Sequence, residues 1–179
     1  MFLYLPEKFD ANEWTIIIIV LLNIAIFAFM PKRIPKEITP LIVLLSISFP
    51  KVLDHSMGVK PFDLYDISDY HEYELIDLIL YGAYPAFGYL FIYILDYFNF
   101  KGLKLVFYFL TWTIFAVVFE LLLVKLNVYV YTGWKIVYSL PVYSIVLSLT
   151  YLFYKLIMYY HKKLYTNEQS NSVKRQQQP

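Results

Sequence analysis

A single carboxylate interrupts one of the most apolar stretches of this chain: Glu120 in "TIFAVVFELLLVKL", residues 113–126. A charge among such residues is costly in hydrocarbon and normally faces protein or a water-filled cavity. Two further acids, Asp54 and Asp77, flank other apolar stretches. Lys125 follows Glu120 by five positions, and Trp134, Lys135 and Tyr138 open the next apolar run. Asp54, Asp77 and Glu120 can hold a cation or a cationic headgroup, or exchange a proton, in a pocket open to one side of a membrane. Asp77 and Glu120 could instead act as an acid and base pair. The same residues also suit plain ion pairing that locks helices together, with Lys125 or Lys135 as the expected partner of Glu120. The candidate binding set is therefore Asp54, Asp77, Glu120, Lys125, Trp134, Lys135 and Tyr138.

Other chemistries lack their residues. The chain has no cysteine, which removes thiol nucleophiles, disulfides and cysteine metal sites. "HEYEL" at His71 lacks the second histidine of a zinc helix, and neither a nucleophile elbow nor a P-loop is present. Asp69, His71 and Glu72 are metal-binding types, but a charge run of this kind is more commonly a solvated face. No cofactor is implied. A net charge of +1 argues against a nucleic-acid partner.

Five apolar segments would position these groups: Trp14–Met30, Ile38–Leu53, Leu75–Phe98, Leu105–Val124 and Ile136–Tyr160. With 60% hydrophobic and 16% charged residues, the chain has too little polar surface for a soluble domain of 179 residues. About 20 apolar residues in a helix cross a bilayer, and four segments reach or approach that length. The second is shorter and contains Pro50; it fits a tilted span, with a re-entrant piece as the alternative. The acids Glu7, Asp10 and Glu13 before the first segment are unlike a signal peptide, so that segment is expected to stay.

The loops set the orientation. Lys32, Arg33, Lys36, Lys101, Lys104, Lys162, Lys163, Lys174 and Arg175 all fall in three regions that five spans place on one side. Basic loops stay cytoplasmic. The expected architecture is an all-α integral membrane bundle of five transmembrane helices, N-terminus outside and C-terminus inside. Residues 1–165 form one transmembrane domain, and 166–179 a disordered polar cytoplasmic tail. Between the second and third segments, "FDLYDISDYHEYELIDLI" suits either an interfacial amphipathic helix or a solvated acidic loop. Pro85 and Pro141 predict bends inside the third and fifth spans. Trp14, Tyr129, Tyr131, Trp134, Tyr159 and Tyr160 fall where spans meet water, as interfacial aromatics do.

"YPAFGYLFIY" (Tyr84–Tyr93), "FELLLVKL" (Phe119–Leu126) and "YTGWKIVYSLPVY" (Tyr131–Tyr143) resemble a family of small multi-span membrane proteins of spore-forming Gram-positive bacteria. The resemblance covers about Ile38 to Tyr160. Its most specific features are Phe119–Glu120, Val124–Lys125, Gly133–Trp134–Lys135 and Tyr138–Ser139, with Asp54 and Asp77 also at family positions. Members are known mainly as proteins of unknown function. The resemblance implies a bacterial cytoplasmic membrane and supplies no activity.

Three functions fit these residues. The first is a non-enzymatic membrane protein whose outer polar cluster binds an ion, a lipid headgroup or a partner helix. The others are a small transporter or channel subunit, and a membrane-embedded enzyme using paired carboxylates. The expected partners are the lipid bilayer and a second copy or another membrane protein.

Overall fold

The computed structural model describes residues 9–67 and 75–176, with residues 76, 77 and 167–176 described in the backbone alone. The chain is mostly helical. Its elements are α1 (Ala11–Phe29), α2 (Thr39–Met57), β1 (Tyr65–Ile67), α3 (Leu75–Leu80), a 3₁₀ turn (Tyr81–Ala83), α4 (Pro85–Phe98), α5 (Leu103–Lys125), β2 (Tyr129–Tyr131) and α6 (Ile136–Gln176). Four stretches among the described residues are long and apolar enough to cross a membrane: Ala11–Phe29, Leu78–Phe98, Leu103–Lys125 and Ile136–Thr166. The helix α2 matches α1 in length at 19 residues but is not apolar enough to join them. Ser46, Ser48, Lys51, Asp54 and His55 lower its hydropathy.

Each helix starts and stops for a local reason. The Glu13 carboxylate accepts the Asp10 N–H at 2.6 Å, covering one of the amides left open where α1 begins. The third apolar segment is interrupted. Pro85 starts α4 without an N–H to satisfy, and the next amide, Ala86, donates to Asn23 Oδ1 of α1 at 2.7 Å. The expected bend is therefore a break, with a 3₁₀ turn before the proline. Asn99 closes α4 in the left-handed conformation (φ 49°), and Gly102 opens α5 at φ 56°, ψ −133°, where a side chain would be strained. Pro50 and Pro141 lie inside α2 and α6. The helix α6 continues through Thr166, where the sequence suggested a disordered tail, as far as Gln176.

The inward positions of α5 are Tyr108, Thr113, Ala116, Glu120 and Leu123, spaced three to five apart as one face of a helix requires. Its other faces expose Leu110, Ile114, Val118 and Leu121. An outward apolar surface of this kind is what a helix presents to lipid.

Polar groups tie the two ends of the bundle. At one end, Arg33 Nε binds Asp96 Oδ2 at 2.7 Å, and the Tyr154 hydroxyl donates to Asp96 Oδ1 at 2.8 Å. This joins the α1–α2 loop, the end of α4 and the middle of α6. Both charged partners are partly exposed, so the pair itself adds only about 1 kcal/mol or less. At the other end, β1 and β2 pair antiparallel, with Tyr65 opposite Tyr131 and Ile67 opposite Tyr129. Residues 65–67 are thus a strand rather than part of an interfacial helix, because β2 supplies hydrogen bonds that a free loop would lack. Residues 68–74, the remainder of that expected helix or loop, lie outside the described residues.

Candidate functional site

The β1–β2 pair covers a cavity of about 180 Å³ between α2, α4, α5 and α6. A single water needs only about 10–15 Å³ on this measure, so there is space for several waters or a small molecule. The cover is fastened at one atom. The amides of Thr132, Gly133 and Trp134 all donate to the Leu64 carbonyl, at 3.0, 2.8 and 2.8 Å. Leu64 N–H in turn donates to Met57 O at the end of α2, at 2.8 Å. This places Tyr65, Tyr129, Tyr131 and Trp134 over the cavity mouth, and all four line it. The Tyr65 ring stands edge-on to Tyr129 and to Trp134, with centroids 6.0 and 5.9 Å apart.

Glu120 is 7% exposed and Asp54 8%, and both line this cavity. Glu120 Oε1 accepts two hydrogen bonds, from the Tyr131 hydroxyl and from Ser139 Oγ, the latter at 2.8 Å. Trp134 Nε1 donates to Ser139 Oγ at 2.9 Å. An indole N–H can only donate, so Ser139 must spend its one proton on Glu120. The chain therefore has a fixed direction, Trp134 to Ser139 to Glu120. Glu120 Oε2 is buried and accepts no hydrogen bond, although the Tyr143 hydroxyl also faces this carboxylate.

Asp54 Oδ1 accepts from the Tyr65 hydroxyl at 2.9 Å. Burial, and then the charge of Asp54, push the Tyr65 phenol well above the ordinary tyrosine range. Burial and the hydrogen bond to Glu120 do the same for Tyr131. Both phenols remain protonated and act as fixed donors to the carboxylates. The Tyr84 and Tyr129 hydroxyls share a hydrogen bond of 2.7 Å at the same end.

The remainder of the wall is mainly apolar. Phe49, Phe87, Val142, Val146 and Leu147 line it away from the cover, the Ser46 and Thr150 hydroxyls each donate to a carbonyl four residues earlier, and among the described residues no Lys, Arg or His borders it. Among the described residues, no group of three His, Cys, Asp or Glu could hold a metal ion.

The residues singled out in the sequence divide accordingly. Asp54, Glu120 and Trp134 come together at one cavity. Lys125 and Lys135 are exposed, and neither forms an ion pair with Glu120. Hydroxyl donors take the place expected for them. Tyr138 is 46% exposed and meets the site only through its ring, edge-on to Trp134 at 5.7 Å. Asp77 falls on α3, and its side chain lies outside the described residues.

No family model, curated protein or solved structure matches the chain.

Several site residues had been given other roles. Tyr129, Tyr131 and Trp134 read as interfacial anchors, yet they turn inward, whereas Trp14, Tyr159 and Tyr160 are exposed as anchors would be. Tyr65 lay in the stretch read as a helix or a loop, and Tyr84 in a span. One signal for the inward set was available: tyrosines at Tyr129 and Tyr131 alternate as strand residues do. Asp96, an acid close to the basic loops, is a further polar tie outside the sequence-based set, with Arg33 as its partner.

Proposed function

We propose that this chain is a five-span protein of a bacterial cell membrane, N-terminus outside and C-terminus inside. In this reading it is a non-enzymatic binding protein that takes an amphipathic molecule into the cavity on its outer side. The observation that carries the reading is the polarity of that cavity. One end gathers two carboxylates, Ser139, an indole N–H and five tyrosines, and the remainder is mainly hydrocarbon, with the Ser46 and Thr150 hydroxyls turned to carbonyls of their own helices. Small-molecule sites combine these features, with apolar walls and a few converging polar groups. A fifth crossing by α2 is supported by its course from the Arg33–Asp96 end to the covered end. Its polar residues Ser46 and Asp54 border the cavity. The basic loops and the resemblance noted above support the orientation and the bacterial membrane. A transport role is the second reading, favoured by the interruption of the third span beside the cavity, a feature of transporter sites.

Two measurements test this. The chain has no cysteine, so single cysteines report cleanly. In intact cells an impermeant thiol reagent should label a cysteine at Asp63 and spare one at Lys101. Labelling at Lys101 would overturn the orientation. For the binding role, a photoreactive octanol should crosslink saturably to the cavity-facing Val142, Val146 and Leu147, with unlabelled octanol competing. Ile145 and Leu149, exposed on the same helix, should label without saturation. Non-saturable labelling at all five positions would remove the binding role.

A further inference from the structure

We infer that the cavity selects a net-cationic amphiphile: an aliphatic chain bearing a primary ammonium, with the ammonium against Glu120 Oε2. The inference rests on the binding role proposed above and gives its ligand a chemical class.

Among the described residues two acids face the cavity and no base does. A ligand with an anionic head would meet Glu120 with no described base to neutralise it. A zwitterionic phospholipid headgroup has the same fault, because its phosphate would find no Lys, Arg or His among the described lining residues. A cationic head removes the imbalance and replaces the water lost by a buried carboxylate.

The hydrogen bonds narrow the class further. Glu120 Oε1 already has two donors, while Oε2 has none. An acceptor buried to this degree calls for a donor. Tyr131 and Ser139 are committed to Oε1, Tyr65 is committed to Asp54, and Tyr143, whose hydroxyl also faces Glu120, makes no hydrogen bond to Oε2. An occupant can supply the donor that Oε2 lacks. A primary ammonium brings three N–H groups and a full charge, and a hydrogen bond of that kind is stronger than one from a neutral hydroxyl. A trimethylammonium has the charge but no N–H. The Trp134 and Tyr65 rings in the cover offer faces that a cation favours. The carbon chain follows from the wall: Phe87, Val146 and Leu147 are apolar, and the Ser46 and Thr150 hydroxyls there are committed to carbonyls of their own helices.

The test uses the full-length protein in neutral-lipid nanodiscs, titrated calorimetrically against matched empty nanodiscs. The probes are octylammonium, octanol, octyl sulfate, octyltrimethylammonium and a lysophosphatidylethanolamine, which carries a primary amine beside a phosphate. Octylammonium is expected to bind about tenfold or more tighter than any other, since losing one partner of a buried charged hydrogen bond costs at least that much. Glu120→Gln should abolish the preference and keep octanol binding. Asp54→Asn should weaken octylammonium in the same direction, which covers the case of a Gln variant that fails to fold. Equal affinity for octylammonium and octanol in the wild-type protein would overturn the cationic class and leave the amphiphile role standing. Lysophosphatidylethanolamine binding as tightly as octylammonium would overturn the exclusion of phosphate. Saturable binding of none of the five would remove both the inference and the role beneath it.

Discussion

Glu120→Leu is expected to unfold at a lower temperature than Glu120→Gln, although leucine is by far the more lipid-like side chain. Gln keeps a carbonyl oxygen where Oε1 stands, so Tyr131 and Ser139 retain an acceptor. It also removes a buried charge that no base among the described residues offsets, and Glu120→Gln should be at least as stable as the unliganded wild type. Leu removes the acceptor. Ser139 can recover by turning to its own helix, as Ser144 and Ser148 do when each donates to the carbonyl four residues earlier. Tyr131 loses its charged acceptor and keeps only the Ser139 hydroxyl, which already accepts from Trp134, so the loss falls mainly on it. One orphaned, partly buried donor costs about 1–3 kcal/mol. At about 2–4 °C per kcal/mol for a chain of this size, the two variants should differ by several degrees. The check is the fraction remaining monodisperse in detergent after graded heating. Tyr131→Phe introduced into the Leu variant should restore most of the difference, because it removes the orphan. If Leu equals Gln, or if Tyr131→Phe restores nothing, the Tyr131–Glu120 bond does not hold the cover in place.

Gly88→Ala should be the most damaging conservative change in the bundle. A Cβ built on Gly88 would lie 2.0 Å from Ser46 Oγ and 3.0 Å from Ser46 Cβ. Turning the hydroxyl away relieves the first contact but not the second, so α2 and α4 would have to separate. Small residues that let helix backbones approach are a main source of helix association in lipid, where the hydrophobic effect does not drive helices together. Overpacking of this degree costs about 1–3 kcal/mol. The effect should extend to the site, since Gly88 and Ser46 both line the cavity and α2 carries Asp54. Ser46→Gly in the Gly88→Ala background should restore the lost thermal stability. Failure of that rescue would mean that Gly88 matters for something other than this contact. Gly82→Ala provides a contrast. Its Cβ would meet only Val20 methyl groups, at 3.3 and 3.5 Å, and a side-chain shift accommodates them.

Charge and periodicity made the membrane character legible. Apolar runs of spanning length survive any local detail, and four appear as helices that satisfy the length and composition of a span. Glu120, Asp54 and Trp134 could be matched because topology fixes depth, and depth brings the ends of successive helices level. What depth cannot supply is direction around each helix. Lys125 and Lys135 lay at a suitable height for Glu120, yet their long side chains favour solvent, and uncharged donors met the carboxylate instead. The β1–β2 pairing joins three-residue strands more than sixty positions apart, too short for any periodic signature. The break before α4 depends on Asn23 of α1, a residue whose sequence neighbourhood is uniformly apolar.

The buried hydrogen bonds also fix an order of events during synthesis. Asp54 is made 11 residues before Tyr65, and Glu120 11 residues before Tyr131 and 19 before Ser139. Asn23 precedes its partner Ala86 by 63 residues. In each case the group that is costly in lipid leaves the ribosome first and its partner follows. The first helix must therefore wait at the edge of the insertion machinery, or bind a temporary companion, until the interrupted third segment arrives. For Glu120 the wait ends only when the beginning of α6 has been made. A nascent chain stopped at Asn127 would thus carry its buried acid with neither hydroxyl donor, and quality-control proteases that survey membrane segments would meet it in that condition.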